Sequence, residues 1–249
     1  GGTVTGAKIA KVAAPMFKKL SLELGGKNPN IIFADADFEQ AVEMAVKASF
    51  RNQGQICLCG SRLLVEKPIF EKFKLAFVEK TKKLKVGDPK ENNDMGAVVS
   101  KSHMNKILEK IELAKTEGGK ILCGGHQIIL DGELKGGYYV APTIIEGLDA
   151  FCDTNQEEIF GPVVTIMPFE NEEHAVEIAN STKYGLAASI FTPRCRIVDN
   201  RSGDKSVIVA YNRVHDRHIC IILRSSIARC TGIVVLCRLR RIGLRVVFA

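Results

Sequence analysis

Two short segments hold residues whose chemistry packing alone does not explain. The first, LELGGKNP over residues 22–29, sets a single acid, Glu23, after apolar residues and before the pair Gly25 and Gly26. The glycines let the backbone turn sharply and leave room for a ligand. A carboxylate there would be partly desolvated. A surface glutamate beside a tight turn reads equally well from this octapeptide alone, because a glycine pair after a strand is commonplace. The second segment, FRNQGQICLCGSR over residues 50–62, places Cys57 in polar, glycine-bearing surroundings. A structural cysteine favours apolar neighbours. A nucleophilic thiol needs access and a setting that favours thiolate; here Asn52, Gln53 and Gln55 offer hydrogen bonds while Gly54 and Gly60 free the backbone. Cys59 competes for the role. A zinc site at Cys57 and Cys59 is disfavoured, since one intervening residue is too tight and no second ligand pair follows. A third segment, EEIFGP over residues 157–162, contains Glu158 and Phe160 and by itself reads as a loop entering a strand at Val163.

The elements that must position these residues alternate. Strands are expected at residues 19–24, 30–33, 62–66, 121–123, 138–145, 163–167 and 186–191. Between them, Asp37 is expected to cap a helix in which Phe38, Ala41, Val42, Ala45, Val46 and Ser49 recur at helical spacing. Pro68 opens a second helix with Ile69, Phe70, Phe73, Ala76 and Phe77 on one face. Further helices are expected at residues 102–117, stopped by Gly118, and at 172–179. Such alternation defines an α/β fold, a mainly parallel sheet with flanking helices. In open sheets of this kind reacting groups gather at the carboxyl ends of strands, and both segments are expected there.

Composition bounds the functional class. The 249 residues are 46% apolar and 25% charged, as in globular domains, and no apolar run is long enough to span a bilayer. The start lacks a basic stretch followed by an apolar one, and eight cysteines without regular spacing fit a reducing, cytoplasmic setting. The net charge of +7 is not evenly spread: residues 193–249 carry 12 basic and 3 acidic side chains, a balance of +9, leaving −2 for residues 1–192. Residue usage changes at the same place, from lysine to arginine, and glutamate disappears. A nucleic-acid arm is disfavoured by the interleaved apolar residues at 219–223. A metal site from His215, His218 and Cys220 lacks ligand spacing. No metal, nucleic-acid or membrane partner is expected.

Together, LELGGKNP and FRNQGQICLCGSR resemble the glutamate and cysteine signatures of the aldehyde dehydrogenase superfamily, in order and at the family's spacing of 34 residues between Glu23 and Cys57 (57 − 23). The resemblance implies that Cys57 is the nucleophile, with Cys59 a neighbour, and that Glu23 is the base that activates water against a thioester. It implies that Glu158 holds the nicotinamide ribose, that Phe160 packs by the nicotinamide, and that Leu24 and the opening Gly1 and Gly2 also contact the cofactor, NAD with NADP as the alternative. It further implies an aldehyde substrate, a carboxylic acid product and homo-oligomeric full-length relatives. The run ICLC around Cys57 is similar to members that oxidise muconic semialdehydes. On this reading residues 1–24 are a remnant of the cofactor-binding domain, residues 25–192 the catalytic domain, and residues 193–249 an aberrant basic tail, so the family fold is incomplete at both ends. The alternatives are a truncated, catalytically inactive product and a binding module that uses its basic tail.

Overall fold

The computed structural model describes residues 1–192 and the backbone of a short antiparallel pair further on, β9 and β10 below. The sequence at 193–249 otherwise lies outside the described residues, including the candidate ligands His215, His218 and Cys220. The chain opens with helix α1 (Thr3–Ala13), capped by Gly2. Sequence reading missed this helix because Thr3, Val4, Thr5, Ile9 and Val12 are β-branched and Gly6 interrupts them, all weak helix formers. Residues 18–28 then run without regular structure. The strand expected at 19–24 does not form. These residues are exposed through Glu23, and among the described residues no neighbouring strand satisfies their backbone groups.

Strand β1 (Pro29–Ile32) leads to α2 (Phe38–Phe50), where the Asp37 carboxylate accepts from the Gln40 amide at 3.1 Å, the expected cap. After β2 (Arg62–Glu66), Pro68 sits in a 3₁₀ turn and α3 (Phe70–Lys82) starts just beyond it. Helix α4 (Lys101–Thr116) is capped by Ser100 and ends at Gly118, whose φ of +90° suits a residue without Cβ. Then come β3 (Lys120–Cys123), β4 (Gln127–Ile128), β5 (Tyr139–Val140) and β6 (Thr143–Glu146). The single strand expected at 138–145 is thus two, divided where Pro142 removes a ladder donor. The first pairs with β4 and the second joins the main sheet. The chain continues through α5 (Asp153–Gln156), β7 (Val163–Phe169), α6 (Glu172–Ala179) and β8 (Ser189–Phe191), followed by β9 (Val207–Ile208) and β10 (Leu223–Arg224).

Among the described residues the main sheet has the order β3-β6-β7-β2-β1-β8, parallel throughout except for β3 against β6. The α/β class and the mainly parallel sheet are as expected. Alternation along the strands divides the core. Ile32, Leu63, Val65, Val164 and Ile166 meet α2 and α3, while Ile31, Leu64, Met167 and Phe169 meet α6. Helix α4 packs on Ile145 and Val163. Buried side chains such as Phe73 and Phe77 each contribute roughly 2–3 kcal/mol of burial, which fixes the sheet as the frame for its loops. Among the described residues no helix is long and apolar enough to cross a membrane.

Candidate active site

Three loops meet at the amino ends of three adjacent strands. Residues 23–28 precede β1, residues 55–61 precede β2, and residues 157–162 precede β7. Pro29 is in register with Arg62, and Arg62 with Thr165, so the loops lie side by side. This corrects the expectation that the segments occupy carboxyl ends. Cys57 lies between α2 and β2, and a helix-to-strand connection in a parallel unit returns the chain to the amino edge of the sheet. Glu23 would have needed a strand at 19–24 to end on, and that strand is absent.

Cys57 occupies the centre of a tight turn closed by the Cys59 amide, which donates to the Ile56 carbonyl at 3.0 Å. Cys57 is partly exposed, whereas Cys59 is 8% exposed and its thiol is pushed up to about 11, chiefly by burial. Burial disfavours the thiolate, so Cys59 stays protonated near neutral pH. The two cysteines, equivalent from residue type, are therefore separated by depth.

Gly26 joins the other loops to this turn. Its amide donates to Glu158 Oε1 at 3.0 Å. A Cβ on Gly26 would stand 2.7 Å from the Cys57 carbonyl oxygen, and one on Gly25 would collide with Glu158 Oε2. At Gly26 the backbone leaves no room for a side chain, and at Gly25 one would displace the Glu158 carboxylate. Phe160 is 38% exposed with φ at +56°, and its carbonyl oxygen lies 2.7 Å from His103 Nε2. The His103 ring also meets the Phe160 ring edge-on. Gly54, at φ +67°, packs against the Gly161 carbonyl so closely that a Cβ would overlap it.

On the other side, the Gly1 nitrogen donates to the Glu23 carbonyl at 2.8 Å, and Leu24 lies against Gly6 of α1. Gly1, Gly2, Glu23 and Leu24 are thus gathered around the start of α1. Gly2 caps that helix without a side chain, leaving first-turn N–H groups available for an anion. The Glu23 carboxylate itself is exposed rather than partly desolvated, because its segment runs along the surface instead of within the sheet.

Sequence reasoning passed over two buried cations beneath these loops. Arg62, fully buried, donates through Nε to the Lys27 carbonyl at 2.9 Å. Through its other nitrogens it donates to the Ile178 and Ala179 carbonyls at 2.7 and 2.8 Å, closing the carboxyl end of α6. Lys27 is 1% exposed, and its ammonium has no hydrogen-bond partner among the described residues. Burial, reinforced by the Arg62 charge, lowers its pKa to about 7. The available signal was a lysine directly after the glycine pair in GGKNP and an arginine opening the apolar run of RLLVE.

Loops before three neighbouring strands of this parallel α/β sheet thus gather a half-buried thiol and a glycine-held carboxylate, with a helix start that has no side-chain cap on the same segment. The model of the aldehyde dehydrogenase family matches residues 1–215, and the chain belongs to that family. The 2-aminomuconic semialdehyde dehydrogenase of Danio rerio is 47% identical over 195 residues, covering 77% of this chain and 40% of the relative. The 4-trimethylaminobutyraldehyde dehydrogenase A of Danio rerio is 44% identical over 194 residues, covering 77% and 38%. A betaine aldehyde dehydrogenase from Staphylococcus aureus, solved in complex with NAD+, superposes with a TM-score of 0.73 at 45% identity, covering 77% of this chain and 38% of that one. The chain thus spans about 40% of the length of the curated relatives it matches.

Proposed function

We propose that this site oxidises an aldehyde to a carboxylic acid with NAD(P)+, Cys57 acting as nucleophile and Glu23 as the base for hydrolysis. The observation that carries the reading is the double role of Gly26, whose amide holds Glu158 while its α-carbon abuts the Cys57 carbonyl. The residues fit a dinucleotide. Gly26 holds Glu158 by Oε1 only, so Oε2 can accept from ribose hydroxyls, and the open start of α1 presents N–H groups to phosphate. Bound there, NAD(P)+ would supply the acceptor for the hydride that the tetrahedral adduct loses as its oxygen pair re-forms the carbonyl, which leaves a thioester on Cys57.

The chain's own residues carry the remaining chemistry. The Cys57 thiolate adds to the aldehyde carbon, forming a C–S bond as the carbonyl π pair moves to oxygen. After oxidation, Glu23 takes a proton from water, whose oxygen adds to the thioester carbon; the C–S bond then breaks, releasing the acid and the thiolate. An exposed Glu23 has access to the water it must deprotonate. The substrate is proposed to be a semialdehyde or an amino-aldehyde, a choice supported by the names of the 43–47% identical relatives.

A chain that carries the site without turnover is the second reading. Val4, Val12, Met16 and Phe17, on the segment proposed to hold the cofactor, are 59–95% exposed, which favours it. The 249-residue chain is mixed with NAD+ and a panel of semialdehydes, and NADH is followed by absorbance. Turnover that vanishes in Cys57→Ala supports oxidation, and equal rates in both chains would reject Cys57 as nucleophile.

A further inference from the structure

We infer that Asn28 is a positioning residue that clamps the nucleophile's turn, an inference resting on the proposed role of Cys57. Asn28 is 4% exposed. Its Nδ2 donates to the Cys57 carbonyl at 2.7 Å and to the Cys59 carbonyl at 2.9 Å, while its Oδ1 accepts from the Ala187 amide at 3.1 Å. A primary amide has two N–H donors and one carbonyl acceptor, and this arrangement uses both donors and the acceptor. The turn from Ile56 to Cys59 is therefore held from outside at its second and fourth residues, and from within by the Cys59 amide.

The clamp has two consequences. It fixes the peptide plane that follows Cys57, and with it the direction in which the Cys57 side chain leaves the backbone. It also draws the Cys59 end of the turn inward, where that thiol is buried and protonated. The residue doing this lies in the Glu23 segment, five positions after Glu23 (28 − 23), so base and nucleophile segments are tied through backbone carbonyls. Gly26 completes the fit: a Cβ there would strike both the Cys57 carbonyl oxygen and, at 2.8 Å, Asn28 Oδ1.

Asn28→Asp tests the clamp, because aspartate has the same shape and, ionised, donates nothing; its oxygens would face two carbonyls. Asn28→Ser keeps one donor and serves as the conservative variant. The purified 249-residue chains are treated with iodoacetamide, and the rates at Cys57, Cys59 and Cys123 are read by peptide mass spectrometry across pH. Cys123, on β3 at the far edge of the sheet, reports on the fold. The clamp predicts that the Cys57-to-Cys59 rate ratio falls at least tenfold in Asn28→Asp and by less in Asn28→Ser, with Cys123 unchanged. A ratio within twofold of the parent in both variants overturns it. So does a fall that appears only with an equal rise at Cys123, since that is loss of the fold. The readout needs no aldehyde or NAD+, so a chain that forms no NADH yet shows the graded ratio defeats the oxidation proposal and leaves the clamp standing.

Discussion

Replacing Lys27 by methionine should stabilise the protein in a pH-dependent way. The side chain is 1% exposed, its ammonium has no partner among the described residues, and Arg62 adds a second positive charge nearby. Its pKa falls from 10.5 to about 7 in the folded chain. At about 1.4 kcal/mol per tenfold change, that difference sets a ceiling of about 5 kcal/mol on the charge penalty. The sign follows from proton counting. Between pH 7 and 10.5 the unfolded chain binds the lysine proton and the folded chain does not, so stability from this group rises with pH. Below pH 7 both states are charged and the penalty is complete. Lys27→Met, similar in length and apolar, removes it. The variant should therefore gain most at pH 6–7, about 3 kcal/mol at pH 8.5, and almost nothing above pH 10.5. Urea unfolding of both chains at half-unit steps from pH 6 to 10.5 measures this. A gain that does not change with pH, or a variant less stable at pH 7, would show that the Lys27 ammonium is paired in the folded chain and carries no such penalty.

Other expectations follow from the same geometry. At pH 8 Cys59 should hold roughly one thiolate in a thousand, so a limiting dose of iodoacetamide should label Cys57 first, read by peptide mapping. Gly54→Ala should cost about 3 kcal/mol in urea unfolding, combining an unfavourable φ of +67° with overlap of the Gly161 carbonyl. Arg62→Met strips the donors from the Lys27, Ile178 and Ala179 carbonyls and should lower stability by about 3 kcal/mol or more, unlike Lys27→Met. Glu158→Ala should weaken NAD+ binding about tenfold by calorimetry while Cys57 labelling stays near the parent rate.

Much of the frame was legible because local signals and burial agreed. Asp37 and its helix, Gly118 as a stop, and the strands at 62–66 and 163–167 each combined a cap or turn residue with a periodic apolar face. The misses have specific physical causes. Residues 19–24 have a strand-like pattern, but a strand exists only beside a partner. Residues 138–145 are divided at Pro142, and the β-branched α1 runs against its own propensity. At the site, residue types alone left Cys57 and Cys59 in competition and Glu23 and Glu158 readable as ordinary loop residues, and the two family signatures in register singled out Cys57, Glu23 and Glu158 as candidates; the depth of Cys59 and the place of the loops at the amino ends of β1, β2 and β7 follow only from the fold. The roles of Lys27, Asn28 and Arg62 depend on burial and on carbonyls more than a hundred residues away in the case of Arg62, and no local pattern encodes those.

The most direct test is to stop the proposed reaction between its two halves. Glu23→Gln keeps the shape of the base and removes its proton-accepting charge, so the acyl group should remain on sulfur. The variant is incubated with a reactive semialdehyde and NAD+, quenched in acid, and its peptides are weighed. The proposed reaction predicts an acyl mass increment on the peptide bearing Cys57, localised to Cys57 and lost in Glu23→Gln/Cys57→Ala. An increment at Cys59, or none at any cysteine while the parent chain forms NADH, would contradict it.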